Sequence, residues 1–157
     1  MPEFGGLDKK RKKKIKMKLE HVHLTVNAKI DPSFRALPRE DAERFVGRLL
    51  EEINMKPLGS MNWADAEDLD FPGQSFVQMI TTSHCSLHFF DNKTEGNEIY
   101  FDLYSCRNFN ANKVVELLDE KFGLLEWHGM LYTRATGNKP EVITLEGKRK
   151  EVVQVKN

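Results

Sequence analysis

At 157 residues, the chain is long enough for one domain with a single core and too short to include a second catalytic domain. Its composition is 39% hydrophobic and 31% charged. No apolar run approaches the roughly 20 residues of a membrane span, so we expect a soluble protein with no membrane partner.

The formal net charge of 0 combines a basic N-terminal segment with an acidic remainder. The run KKRKKKIKMK, from Lys9 to Lys18, contains eight basic residues, whereas residues 19–157 contain 16 basic and 22 acidic residues. No aromatic residue interleaves the lysines, as nucleic-acid grooves usually require. We therefore predict that residues 1–18 form a disordered, solvated tail and that nucleic acid is not a partner. The opening MPEFGG, residues 1–6, resembles a remnant of an expression vector.

The two cysteines, Cys85 and Cys106, are too few for a disulfide framework. At least one free thiol indicates a reducing compartment. No apolar signal region follows the basic run, which argues against secretion. We therefore expect a cytoplasmic protein.

The folded domain is predicted to span residues 19–137. The segment HVHLTVNAKI, residues 21–30, alternates as a strand does, and Asp31-Pro32 ends it. A helix is predicted after Pro38, because apolar residues then recur at three- and four-residue steps. They are Ala42, Phe45, Val46, Leu49, Leu50 and Ile53. Residues 55–74 contain glycine and proline among mixed residues, which predicts a loop with room for a short strand.

The second half of the domain is predicted to contain several strands and one helix. The segments SFVQMITT, HCSLHFF and EIYFDLYSC favour strands, the last two joined as a hairpin by DNKTEGN. The helix FNANKVVELLDEKFG has Asn110 as its N-cap and Gly123 as its stop, and LLEWHGMLYTRA can form a closing strand. This order predicts a two-layer α/β sandwich, with a mostly antiparallel sheet and both helices on one face. Residues 138–157 are predicted to be a polar C-terminal extension.

The segment TTSHCSLHFF, residues 81–90, concentrates reactive side chains in one predicted strand. Alternation places Ser83, Cys85, Leu87 and Phe89 on one face and His84, Ser86 and His88 on the other. A zinc site would use His84, Cys85 and His88 with His21 or His23, but the spacing spreads these ligands over both faces. A serine hydrolase would need a nucleophile elbow, which the segment lacks. The remaining interpretation from composition alone is that these are ordinary sheet residues.

Three motifs in order resemble the prokaryotic S-adenosylmethionine decarboxylase proenzymes. They are Gly73-Gln74-Ser75 for G-x-S, residues 83–88 (SHCSLH) for S-H-x-[ST]-[IL]-H, and residues 102–106 (DLYSC) for D-[LV]-[FY]-[TS]-C. The resemblance covers roughly residues 20–136, and it implies the sandwich fold of that family, a homodimer and S-adenosylmethionine as the substrate.

The resemblance also implies roles for four residues. Ser83 would attack the carbonyl of Thr82, and β-elimination would then cut the chain and leave a pyruvoyl cofactor at residue 83. Ser75 would stabilise the oxyanion and His88 would take the proton during this processing. The pyruvoyl group would form a Schiff base with the substrate amine, and Cys106 would donate a proton after decarboxylation. The product would supply the aminopropyl donor for polyamine synthesis, and no metal is implied.

The chain departs from the family pattern around these motifs. Thr82 replaces the usual glutamate before the serine, Phe89-Phe90-Asp91-Asn92 replaces T-W-P-E, and Arg107 replaces glycine. Asn27 lies near the place of an expected acid in the first strand. Two further functions therefore stay open: a pyruvoyl decarboxylase of arginine or ornithine, and an unprocessed homologue that acts as a binding or regulatory subunit.

Overall fold

The structure, a computed structural model, describes residues 20–67 and 70–149. Its elements follow the chain as β1 (Val22–Ile30), α1 (Arg39–Glu52), β2 (Asn62–Ala66), β3 (Gly73–Ile80), β4 (Ser83–Phe90), β5 (Glu98–Ser105), α2 (Ala111–Phe122), β6 (Leu124–Thr133) and β7 (Val142–Lys148). The predicted basic tail and residues 150–157 of the predicted extension lie outside the described residues. No helix in the described ranges is long and apolar enough to cross a membrane.

The strands form one sheet in the order β2-β3-β4-β5-β1-β6-β7, and every pairing is antiparallel. The first strand of the chain lies inside the sheet, between β5 and β6. Both helices pack on the same side, which confirms the predicted two-layer α/β sandwich. The short strand expected within residues 55–74 is β2.

The two helices form where their sequence patterns predict them. The predicted apolar stripe of α1 is buried, from Ala42 through Leu50 to Ile53. In α2 the side chain of Asn110 accepts a hydrogen bond from the backbone amide of Lys113 at 3.1 Å. Gly123 ends α2 in a left-handed conformation with φ of 70°, which glycine adopts without steric cost. Local patterning therefore determines both helices.

The two faces of the sheet differ in character. The face under the helices is apolar and includes Cys85, Leu87 and Phe89 of β4, all nearly inaccessible to solvent. The opposite surface, which we call the open face, has no helix over it among the described residues. It carries His84, Ser86 and His88, as the alternation predicts, and exposed apolar side chains such as Met79 and Met130.

The sequence prediction missed β7, which lies inside the predicted polar extension. It pairs with β6 from Glu126↔Lys148 to Tyr132↔Val142 and forms one edge of the sheet. Its Gly147 lies against the indole of Trp127, where an added Cβ would come within 2.3 Å of Nε1. The strand is thus fitted closely to its neighbour, although only Leu145 is buried along it.

Candidate active site

The turn between β3 and β4 carries Thr81 and Thr82 and delivers Ser83 as the first residue of β4. Ser83 has φ of 147° and is one of two non-glycine residues with positive φ in the described ranges. Backbone in this region costs a serine of the order of 1–3 kcal/mol and persists only where surrounding contacts hold it. The serine of the predicted processing site is therefore strained.

Contacts from two other segments hold the residue before Ser83. The backbone amide of Cys106 donates to the carbonyl oxygen of Thr82 at 2.7 Å. The Thr82 hydroxyl, in a largely buried side chain, donates to the sulfur of Met55 at 3.1 Å. The amide of Thr81 donates to the carbonyl of Lys56 at 2.9 Å. The carbonyl that Ser83 would attack is thus fixed and hydrogen-bonded to an amide donor.

The two cysteines have different environments. Cys106 follows β5 directly and is partly exposed, next to the carbonyl of Thr82. Cys85 lies in the core, where burial foremost and then the charge of Asp102 raise the pKa of its thiol. A thiol that stays protonated in the core is not nucleophilic. Of the two cysteines, Cys106 is the one that is partly exposed and adjacent to residue 83.

Ser75 and His88 form a second pair, at the far end of β3 and β4. They face each other in the β3–β4 register, and Ser75 Oγ lies 2.7 Å from His88 Nδ1. His88 lies five positions after Ser83 along β4, which corresponds to roughly 16 Å in an extended strand. The structure thus brings Ser83 together with Cys106, and Ser75 together with His88, but separates the two pairs within one chain.

A polar network that the sequence analysis did not anticipate lies on the open face, around Asp102. His23 contacts one carboxylate oxygen of Asp102, and His84 Nε2 lies 3.4 Å from the other. Nδ1 of His23 lies 3.0 Å from the Tyr132 hydroxyl and 3.0 Å from the Arg134 guanidinium, and the guanidinium can only donate to it. Nε2 of His23 therefore carries the proton that it donates to Asp102.

The network changes the acidity of Asp102. Burial alone would raise the pKa of this carboxyl, but the hydrogen bond and charge of His23, and then those of His84, outweigh it. The pKa of Asp102 consequently lies below its ordinary value. The alternating polar residues of β1 and β5 indicated a polar face on each strand. They did not show that these strands would pair, so the network around Asp102 could not be predicted from the sequence.

A cleft of about 560 Å³ opens beside the Ser75–His88 pair. Its walls combine the aromatic rings of Phe71, Phe90 and Tyr100 with the carboxylates of Asp91 and Glu98. Phe90 and Tyr100 pack edge to face with ring centroids 5.6 Å apart. Flat rings and negative charge suit a ligand that has a planar group and a cationic group.

The alternative zinc site does not assemble within the part of the chain that the structure describes. His84 lies on the open face, whereas Cys85 points into the core. No cluster of three histidine, cysteine or acidic side chains in residues 20–67 and 70–149 is arranged to hold a metal ion.

The family model for S-adenosylmethionine decarboxylase matches residues 23–135. The chain belongs to the S-adenosylmethionine decarboxylase family. The match runs from β1 to the residues just after β6, so it includes both pairs of candidate residues and stops before β7. Members of this family generally depend on a pyruvoyl group. No curated protein matches the chain in sequence.

Proposed function

We propose that this member of the S-adenosylmethionine decarboxylase family is a self-processing, pyruvoyl-dependent enzyme. It would decarboxylate S-adenosylmethionine and supply the aminopropyl donor for spermidine synthesis. The observation that carries the proposal is the geometry at the scissile bond, where a strained Ser83 follows a carbonyl held by the amide of Cys106.

That geometry favours attack of Ser83 on its own peptide bond. Oγ of Ser83 would bond to the carbonyl carbon of Thr82 while the C–N bond between the residues breaks. The Oγ proton ends on the released nitrogen of Ser83. The amide of Cys106 donates to the oxygen on which negative charge develops, as an oxyanion donor does. Strain at Ser83 is relieved when the peptide becomes an ester.

The second half of processing removes the Cα proton of Ser83 and breaks its Cβ–Oγ bond. Thr82 is then the C-terminus of the first fragment, and residue 83 keeps an enamine that water converts to a pyruvoyl group with loss of ammonia. The residues present fit this group, because position 83 lies at a strand end beside a partly exposed thiol. When formed, the group would supply the carbonyl that binds the substrate amine and withdraws electrons during decarboxylation.

Cys106 would hold the proton for the substrate carbon. Its backbone is fixed by the hydrogen bonds from its amide to Thr82 and from the amide of Glu20 to its own carbonyl, both 2.7 Å long. These bonds fix the backbone of Cys106 beside residue 83, from where its thiol would reach the substrate carbon. A donor held at one carbon determines which atom is protonated after carbon dioxide leaves.

We propose that a second copy of the chain completes the site. Ser75 on β3 and His88 on β4 are too far from the β3–β4 turn to act on Ser83 of the same chain. They lie on the open face, which also exposes Val77, Met79 and Met130. Two open faces packed together in a homodimer would bury these apolar side chains. Ser83 is the first residue of β4 and lies at an end of the sheet, so a two-fold axis can place the Ser75–His88 end of one sheet beside the backbone of residue 83 of the other.

The cleft beside His88 is the proposed binding place for the substrate. Phe90 and Tyr100 can stack on a purine ring, and Asp91 and Glu98 favour a positive centre such as a sulfonium or an ammonium group. In the proposed homodimer, the cleft of one chain would open toward Ser83 of the other chain, which is also the residue on which His88 of the first chain would act. The motif departures at Phe90, Asp91 and Asn92 all line this cleft.

The composition of the cleft also supports the second candidate substrate class. Arginine and ornithine carry a side-chain cation that Asp91 and Glu98 would attract. Unlike S-adenosylmethionine, however, they have no purine ring for the aromatic walls of the cleft to bind. Release of carbon dioxide from S-adenosylmethionine, arginine and ornithine, measured side by side, distinguishes these substrates. An intact chain without decarboxylation would instead indicate the non-catalytic, regulatory homologue.

Intact mass measures the proposed processing directly. The purified 18.2 kDa chain should resolve into fragments 1–82 and 83–157, and the second should carry a ketone that reacts with hydrazines. Ser83→Ala should stay whole and inactive. A wild-type chain that remains whole after prolonged incubation would contradict the proposal.

A further inference from the structure

We propose that Ser105 is a positioning residue for the self-processing of Ser83. The inference rests on the proposed self-cleavage and adds a residue to it. No role was assigned to Ser105 from the sequence, where it was only a position within the motif that ends in Cys106.

The strand register places Ser105 directly opposite Ser83. In the β4–β5 ladder, Ser83 pairs with Ser105, and the next pair outward is Thr82 with Cys106. Thr82 and Cys106 share a backbone hydrogen bond, so Ser83 and Ser105 form a non-hydrogen-bonded pair. The Cα atoms of such pairs lie about 4.5 Å apart, and their side chains approach most closely.

Ser105 is also unusual in its burial. It has 0% relative exposure, while the preceding core-facing residues of β5, Phe101 and Leu103, are apolar. A hydroxyl in such surroundings is costly unless it is hydrogen-bonded. The amide of Arg107 donates to Ser105 Oγ at 2.9 Å. A serine oxygen has two lone pairs and one proton, so Ser105 can accept a second hydrogen bond.

We infer that the hydroxyl of Ser83 donates that second bond in the conformation from which it attacks, since the register places the two residues opposite each other. A hydroxyl that donates to Ser105 directs its proton away from the Thr82 carbonyl and leaves a lone pair free to attack it. The amide of Arg107 occupies the other lone pair of Ser105 and so fixes the acceptor. Ser105 is not consumed, because the Ser83 proton moves to the nitrogen that the broken peptide bond releases. A misplaced nucleophile can cost up to about a hundredfold in rate.

The test compares three substitutions at one position. Ser105→Thr keeps the hydroxyl, Ser105→Val has nearly the shape of threonine without it, and Ser105→Ala removes it without added volume. Each full-length chain is pulse-labelled during cell-free translation, and the half-time of cleavage at Ser83 is measured. Hydroxylamine, which cleaves an ester but not an amide, measures the fraction of chains at the ester intermediate. Melting temperatures show whether each variant is folded.

We expect Ser105→Thr to cleave within about threefold of the wild-type rate. Ser105→Val and Ser105→Ala should cleave at least about tenfold more slowly, with a smaller hydroxylamine-sensitive fraction than the threonine variant. A purely structural role would instead make the rates follow the melting temperatures. Equal rates for the threonine and valine variants, or wild-type cleavage by the alanine variant, would overturn the role of Ser105 and leave the proposed function intact. A wild-type chain that does not cleave refutes both.

Discussion

The backbone amide of Cys106 donates a hydrogen bond to the carbonyl oxygen of Thr82 at 2.7 Å, whereas the thiol belongs to the side chain of Cys106. The two groups can therefore be separated by substitution. Cys106→Ala keeps the amide, so the chain should still fold and cleave at Ser83. It loses the thiol, and turnover should fall at least about tenfold, the low end of what general acid catalysis contributes.

The same substitution should also cause inactivation during turnover. Without the thiol, the proton can reach the carbon of residue 83, which would end as alanine and change the mass of fragment 83–157. Rate assays and intact mass measure both effects. Cys85→Ala is the control, because Cys85 lies in the core. This substitution should change the free energy of unfolding by about 1 kcal/mol, with neither slower turnover nor progressive inactivation. Full turnover by Cys106→Ala would make Cys106 a structural residue.

Local chemistry explains what could be predicted from the sequence. The apolar steps of α1 and the caps of α2 at Asn110 and Gly123 depend on residues within one or two turns, and all are as predicted. β7 was missed because the segment VITLEGK buries only Leu145, and its pairing depends on the free edge of β6. A strand stabilised mainly by its neighbour leaves little pattern in its own sequence.

The arrangement of the candidate site was also hard to predict from the sequence, because it depends on contacts between residues that are distant along the chain. The motifs identified Ser83, Ser75, His88 and Cys106, but their spacing did not show that Ser75 and His88 lie at the opposite end of β4 from Ser83. The contact of His23 with Asp102 joins strands that are 79 residues apart in sequence. Such contacts follow from strand order, which alternation within single strands does not determine.

The lowered pKa of Asp102 gives a pH dependence of stability. A carboxyl with a lower pKa in the folded state than in the unfolded state stabilises the fold above its unfolded pKa, about 3.9. That contribution is lost as the pH falls through the folded pKa. The melting temperature of wild type should exceed that of Asp102→Asn at pH 6, and the difference should shrink below about pH 4. The groups that face Asp102 are His23, His84 and Ser86.

Thermal melts from pH 7 to pH 2.5 measure this difference. Glu43→Gln is a suitable control, since Glu43 forms an exposed ion pair with Arg39 on α1, and such pairs contribute at most about 1 kcal/mol. Parallel melting curves for wild type and Asp102→Asn over the whole range would show that the network does not stabilise the charged carboxylate.

Gly73, the glycine of the G-x-S motif, is required by close packing between strands. Its φ is 156°, and an added Cβ would lie 1.8 Å from the carbonyl oxygen of Phe89. Gly73→Ala should therefore cost more than about 4 kcal/mol or prevent folding. Gly47→Ala is the matched control, because Gly47 is exposed in α1 with nothing within 4 Å, and it should stabilise the chain by about 0.5–1 kcal/mol. Urea unfolding measures both, and equal stabilities would contradict the packing argument.

The separation of Ser83 from the Ser75–His88 pair predicts complementation between two inactive chains. Ser83→Ala cannot cleave itself but keeps Ser75 and His88. His88→Ala keeps Ser83 but lacks the proton acceptor. Each variant alone should stay whole. In mixed dimers, the Ser83→Ala chain would place its His88 beside Ser83 of the His88→Ala chain, so only the latter should be cleaved.

The two chains can be co-expressed with tags of different mass, and the cleaved chain can then be identified by mass spectrometry. The control replaces Ser83→Ala with a chain that carries both Ser83→Ala and His88→Ala, which offers no histidine at position 88. That mixture should remain whole, because the added substitution removes the donated group but keeps the exposed apolar side chains of the open face, such as Met79 and Met130. Mixed dimers that form but do not cleave would show that His88 does not act between chains, and the roughly 16 Å along β4 would then argue against its acting within one chain.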